Sequence, residues 1–220
     1  MLRVIDTETC DLQGGVVEIA SVDVVDGKIT NPMSHLVRPD RPISPQAMAI
    51  HRITEAMVAD QPWIEDVLPF YQGSPWYVAH NASFDRRVLP EMSGEWICTM
   101  KMARRLWPGI KYSNIGLYKS RNLNVQTPAG LHHHRALYDC YITAALLIDI
   151  INTTGWTPEE MVDVTGRPGL ISTFSFGKYR GKPVAEVAER DPGYLRWLFN
   201  NLDRMSPEMR LTLKHYLDKA

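Results

Sequence analysis

The stretch from Val16 to Val37 restricts the fold more than any other part of the chain. Val16 to Val25 is β-branched and mostly apolar, Asp26-Gly27 is a hairpin turn pair, and Ile29 to Val37 reads as the returning strand. Leu2 to Asp6, just ahead, is a short apolar run that ends in acids. Three consecutive antiparallel strands are therefore expected at the start. The pattern then changes. Pro39 to Ser44 is a loop, Ala47 to Met57 mixes helix and turn signals, and Ile64, Val67 and Leu68 have helical spacing. Trp76 to His80 reads as a fourth strand, followed by an Asn-Ala-Ser turn and a helix from Phe84 to Leu89. Trp96 to Cys98 reads as a fifth, followed by a helix from Met100 to Leu106. Arg135 to Ile151 is the longest periodic segment, with Leu137, Ile142, Ala145, Leu146 and Ile150 on one wide face. Strands first, then strand–helix alternation, predict an α/β layered domain with a mixed sheet.

The 220 residues suffice for one full domain and a small appendage. TGRPG marks a boundary near Thr165 to Gly169, which divides the chain into residues 1–165 and a module over 166–220. At 45% hydrophobic and 22% charged, the composition is that of a globular protein with an ordinary core. No apolar run approaches the roughly 20 residues of a membrane span, so no membrane partner is expected. MLRVIDTETC has no apolar h-region and does not read as a signal peptide. Cys10, Cys98 and Cys140 are far apart, odd in number and form no CxxC pair, so neither a disulfide framework nor a cysteine zinc site is suggested, and the reading is a reducing cytoplasm. The net charge of -1 leaves a nucleic-acid partner open, because clustering of cations matters more than their total.

The chemistry is carried by acids and one histidine. Asp6 and Glu8 are two apart at a strand end and share a face. Two neighbouring carboxylates repel unless a cation lies between them. Read alone, the pair is an exposed strand end. Asp85 stands at the head of a helix after the turn AHNASF, and Asp139 lies one turn inside the long helix. LHHHRALYDC sets three histidines before it. A zinc cage is disfavoured, because adjacent residues rarely converge on one ion and the familiar zinc spacings are absent.

Taken together, IDTET at 5–9, HNASFD at 80–85 and HRALYD at 134–139 resemble the three motifs of the DEDDh family of 3′-to-5′ exonucleases. The resemblance implies a ribonuclease H-like fold and a site in which Asp6, Glu8, Asp85 and Asp139 hold two Mg²⁺ ions, with Mn²⁺ able to substitute. It places His134 as the general base, and His132 and His133 in a mobile loop. Phosphodiester cleavage develops charge on the attacking and leaving oxygens, and two cations roughly 3.5–4 Å apart stabilise both ends of an in-line displacement. Hard oxygen ligands suit Mg²⁺ or Mn²⁺. A neutral imidazole can take a proton near neutral pH.

The resemblance also implies substrate contacts. Thr7 and Thr9 lie within the first motif, Leu12 would lie against the terminal base, and Gln13 beside it could reach a base or sugar. His51, in IHRIT, is a candidate for the sugar, while Asn81 and Ser83 are equally readable as turn-formers. Three departures stand out. Cys10 and Asp11 replace a threonine and a glycine common in the family, and Arg52 replaces a common glycine. Downstream, FGKYRGKPVAEVAERDPGYLRWL resembles a module that some members carry, and Lys178, Arg180 and Lys182 would share one face of a hairpin with Tyr179 among them. Cations with an interleaved aromatic suit nucleic acid. The expected activity is release of nucleoside 5′-monophosphates from DNA 3′ ends, with a role in DNA repair implied by the resemblance alone. Exoribonuclease action on RNA, or a proofreading subunit acting by binding a polymerase, are the alternatives. No protein partner can be named from the sequence.

Overall fold

In the computed structural model, which describes residues 1–219, the first strand runs past its apolar residues. β1 spans Leu2–Asp11, and both acids lie inside it rather than at its end. The extension is held by pairing with β2 (Gly14–Val25) as far as Asp11 opposite Gly14. β3 (Lys28–Leu36) completes the antiparallel meander, and β4 (Trp76–Ala79) and β5 (Glu95–Cys98) add in parallel beyond β1. The order β3-β2-β1-β4-β5 makes a mixed sheet with β1 at its centre. The β1–β2 register shifts after Glu8, where the pairing passes over Val17. Such a bulge bends the strand and re-aims the side chains beside it.

Eleven helices follow the sheet's two faces and the C-terminal segment: α1 (Pro45–His51), α2 (Glu55–Val58), α3 (Ile64–Val67), α4 (Ala82–Val88), α5 (Thr99–Leu106), α6 (Asn114–Ser120), α7 (Ala136–Thr154), α8 (Pro158–Gly166), α9 (Val184–Arg190), α10 (Pro192–Asn201) and α11 (Pro207–Leu217). Alternation along β1 sends Leu2 and Val4 to the face covered by α5, α6, α7 and α8, and Ile5 to the face covered by α3 and α4. By length and composition α7 is apolar enough to cross a membrane, contrary to the expectation that no segment is. Its apolar residues Ile142, Leu146, Leu147 and Ile150 are instead buried against the sheet.

Beyond Gly169 a separate core forms around Phe174, Val184, Leu195, Leu198 and Leu213. Thr165 still belongs with the sheet, since its hydroxyl accepts from the Cys98 N–H at 2.9 Å. The expected hairpin over residues 174–182 is not a hairpin. An isolated bridge pairs Thr173 with Pro183, and the Phe174 N–H donates to the Lys182 carbonyl at 3.0 Å, but no strand extends from it and the chain between is a succession of bends and turns. Gly177 and Gly181 take φ of +73° and +81°, which breaks any extended backbone. A side chain at Gly177 would collide with the Tyr194 hydroxyl, so the loop closes on that ring. Lys178, Arg180 and Lys182 are exposed but do not line one strand face.

Candidate active site

β1 organises the site by alternation. Asp6 and Glu8 point to the α7 side, where the first turn of α7 brings Asp139. Carboxylate oxygens of Asp6, Glu8 and Asp139 lie within 4.8 Å of one another. Thr7 points the other way and meets Asp85 from α4. Its N–H and hydroxyl both donate to Asp85 Oδ1, at 3.1 and 2.9 Å. Two helices on opposite faces thus deliver acids to one stretch of β1.

Burial raises the proton affinity of three of these acids, and the crowding of carboxylates adds to it at Asp6 and Glu8. Burial, then the neighbouring Asp139, Asp85, Glu8 and Glu18 carboxylates, hold Asp6 well above the usual carboxylate range. Burial and the same crowding push Glu8 up to about 9. Asp85 is pushed to about 7 by burial, against the opposing effect of its Thr7 hydrogen bonds. Such a cluster is poorly tolerated as four bare anions. Its oxygen-only donor set at this spacing fits hard divalent cations.

Asp139 is held by the histidine segment, although by a different ring from the one the motif spacing suggests. His133 Nδ1 donates to Asp139 Oδ1 at 2.7 Å. His134 offers only its backbone N–H, to Oδ2 at 3.0 Å. The cause is local: His134 has φ +69°, which turns its ring outward. The ring then stacks on His133 at 3.8 Å between centroids. Ring nitrogens of both residues still lie within 4.8 Å of an Asp139 oxygen. Burial and the adjacent His133 lower the His134 pKa, which favours the neutral ring. His132 closes the turn by donating from Nδ1 to the His133 carbonyl at 2.6 Å.

Behind the acids lies a pair that the sequence pattern does not advertise. Glu18, on β2 opposite Glu8, is buried and accepts from Arg135 Nη2 at 2.7 Å and Nε at 3.0 Å. It also accepts from the Ala136 N–H at 2.9 Å, closing the N-terminus of α7. Glu18 sits as a lone acid in the apolar run VVEIAS, and that anomaly was the available signal.

A cavity of about 610 Å³ opens beside Glu8, between the 11–13 turn and α1. Leu12 is 80% exposed on its rim, so it does not seal the core. Asp11 explains the posture. Its Oδ1 accepts from the Gln13 and Gly14 N–H groups at 2.7 and 3.1 Å, forming the turn that lifts Leu12 outward. Arg87 buttresses that turn by donating to the Leu12 carbonyl at 2.9 Å while covering the Phe84 ring. Phe84 and the half-exposed Ile50 supply apolar walls that motif reasoning passed over.

Several expected substrate contacts are committed elsewhere. His51 is buried, donates from Nε2 to the Thr9 carbonyl at 3.1 Å and accepts at Nδ1 from the Ile53 N–H at 3.0 Å, so no ring nitrogen is left for a sugar. The Thr7 hydroxyl serves Asp85, and the Thr9 hydroxyl donates to the Asp11 carbonyl at 2.8 Å. Asn81 is a turn-former, with φ +69° at the head of α4 and its Oδ1 accepting from the Ser83 hydroxyl at 3.3 Å. Arg52 also has a left-handed backbone, φ +61°, where it ends α1. That is the conformation glycine adopts most easily. The Cys10 thiol, buried and pushed up to about 12, is inert packing.

Residues 4–147 match the family model described as Exonuclease. The chain belongs to that exonuclease family. Residues 174–203 match a second model, Exodeoxyribonuclease X-like C-terminal. The exonuclease is 85% identical over 220 residues, all of both chains, to Exodeoxyribonuclease 10 of Escherichia coli K12. A solved structure of exonuclease X in complex with 5′ overhanging duplex DNA is 86% identical, covers 76% of this chain and all of its own, and superposes with a TM-score of 0.75. The nuclease domain of 3′hExo, a DEDDh member bound to rAMP, is 15% identical, with a TM-score of 0.55 over 70% of this chain and 92% of its own; that likeness shows the shared fold. The exonuclease therefore has the ribonuclease H-like architecture expected from its motifs, with an acidic cluster along β1 that could hold a divalent metal.

Proposed function

We propose that this protein is a 3′-to-5′ exodeoxyribonuclease that removes nucleoside 5′-monophosphates from DNA 3′ ends. The observation that carries the reading is the convergence of Asp6, Glu8 and Asp139 within 4.8 Å, with Asp85 behind them, beside a cavity of nucleotide size. Its near-identical relative is named an exodeoxyribonuclease, and the related exonuclease X was solved with duplex DNA, which supports DNA over RNA.

Asp6, Glu8, Asp85 and Asp139 would hold two Mg²⁺ ions, or Mn²⁺ in their place. Such ions stabilise charge on the attacking and leaving oxygens of an in-line displacement. The residues of this chain do the rest. Thr7 fixes Asp85, and the Glu18–Arg135 pair fixes the helix that carries Asp139. His134, exposed and favoured neutral, accepts the proton of the attacking water, while His133 is tied to Asp139. Leu12 and Gln13, on the rim of the cavity, meet the terminal nucleotide, with Phe84 and Ile50 as its apolar walls. The proposed setting is DNA repair in a reducing cytoplasm.

The test is a product assay on DNA and RNA labelled at either end, single- and double-stranded, with Mg²⁺ and with chelator. Mononucleotides released from 3′-labelled DNA in Mg²⁺ alone are expected. Faster turnover of RNA would transfer the reading to an exoribonuclease, and no turnover of either would favour a subunit that acts by binding.

A further inference from the structure

The C-terminal module carries a row of aromatic rings that starts against its own core and ends outside it. The Tyr179 and Tyr194 rings meet edge-on at 5.0 Å, and Tyr194 stacks on Trp197 at 6.2 Å and 18°. Trp197, on α10, is 57% exposed, although Leu195 and Leu198 of the same helix are fully buried. A tryptophan left this open at the end of a stacked row offers one free π-face. Phe176, 36% exposed, lies on the loop that closes around Tyr194.

The module that carries the row has a net positive charge. Residues 166–220 contain ten Lys and Arg against six Asp and Glu, whereas residues 1–165 contain 14 against 19. The module is therefore cationic and the catalytic domain anionic. The acid nearest the row, Asp191, is already engaged: its Oδ2 accepts from Lys178 Nζ at 3.1 Å and from the Tyr179 hydroxyl at 2.8 Å, and its Oδ1 accepts from the Tyr194 N–H at 3.1 Å. Lys178 is thereby partly neutralised and lies over the Tyr179 ring at 4.8 Å. Arg180 and Lys182 are exposed and form no ion pair among the described residues.

We propose that Trp197 is a base-stacking platform for single-stranded DNA, with Arg180 and Lys182 taking the backbone phosphates. The inference rests on the exonuclease reading for the identity of the strand and adds a second grip on it away from the metal site. A flat exposed ring and unpaired cations on one positively charged module complement an unpaired strand, whose bases expose π-faces and whose backbone is anionic. A second copy docking module against module would bring like charge against like.

The test is the affinity of the full-length protein for a long labelled oligo(dT), measured by fluorescence anisotropy across a salt series with chelator present. Trp197→Ala should weaken binding roughly 5- to 150-fold, the range of one lost stacking contact, and Trp197→Phe should recover most of it. Arg180→Ala with Lys182→Ala should flatten the log–log salt slope by about 1.4, two single-strand phosphate contacts. Thermal midpoints of all variants establish that the module stays folded. Unchanged affinity and slope in folded variants would overturn the proposal. So would a sedimentation series in which the unsubstituted protein self-associates and Trp197→Ala does not. Turnover of a dinucleotide by the unsubstituted protein reports the exonuclease reading by itself, so either idea can fail without the other.

Discussion

Arg135→Leu tests whether the buried pair behind the acids organises the site. The guanidinium side chain is 19% exposed and the Glu18 carboxylate 4%. Substitution removes both charge-assisted bonds and leaves an anion facing Glu8 across the strand pair. Breaking one partner of a buried pair costs about 3–5 kcal/mol. At roughly 2–4 °C per kcal/mol for a chain of this size, the midpoint should fall by about 6–20 °C. Removing both partners should cost less. In Glu18→Leu with Arg135→Leu no charge is stranded, and the main loss is the Ala136 N–H acceptor, worth about 1–3 kcal/mol. The double variant should therefore be more stable than Arg135→Leu alone. A stranded carboxylate also escapes part of its cost by taking up a proton, so the defect of Arg135→Leu should shrink on acidification. Urea unfolding of Arg135→Leu, Glu18→Leu and the double variant in chelator, at about pH 5 and pH 8, measures all of this. Additive single effects, or a pH-independent loss below about 1 kcal/mol, would show that Arg135 contributes only the packing of its stem.

Asp6→Asn, Asp85→Asn and Asp139→Asn should each lower turnover by orders of magnitude in a folded protein, and chelator should silence the unsubstituted enzyme until Mg²⁺ or Mn²⁺ is restored; full activity without metal would sink the two-ion reading. His134→Ala should lose on the order of a hundredfold in kcat, the usual scale of base catalysis, with a milder loss for His133→Ala; the reverse order would assign the base to the ring that hydrogen-bonds Asp139. In chelator, stability should fall with rising pH. Glu8 and Asp85 bind protons more tightly folded than unfolded, so their contribution is full below the unfolded values near 4 and is lost as pH rises through about 7 for Asp85 and about 9 for Glu8. Urea midpoints that rise over that window would contradict the crowding of the acids.

The five strands and α7 were legible because burial imposes a period that survives without knowledge of partners. β1 was read too short for the same reason: Asp6 and Glu8 interrupt an apolar pattern, although β2 pairs with them as it does with their neighbours. The cationic loop failed in the opposite sense. Lys178, Arg180 and Lys182 mimic a strand's period of two, but glycine φ values and the Tyr194 ring decide the backbone there, and neither is visible in spacing. The histidines mark a finer limit. Motif spacing places His134 near Asp139 and is right about the backbone, yet one left-handed φ exchanges which ring makes the contact. His51 and Thr7 carry the right atoms for substrate, and only the partners 42 and 78 residues away show that those atoms are already used.

The central place of β1 explains why acids so far apart in the chain can meet. A strand at the sheet's edge presents one neighbour, whereas β1 is flanked by β2 and β4 and covered on both faces. Its alternation can therefore address two helices at once. Asp6 and Glu8 face α7, and Thr7 between them reaches α4 and pins Asp85. The bulge after Glu8 falls where this double duty ends, and beyond it the strand turns toward the cavity and Leu12. A one-residue slip of β1 would exchange the two faces, sending Thr7 to α7 and both acids toward Asp85. The register that buries Val4 against α7 and Ile5 against the opposite core forbids that slip, so the packing that stabilises the sheet also fixes the handedness of the metal site.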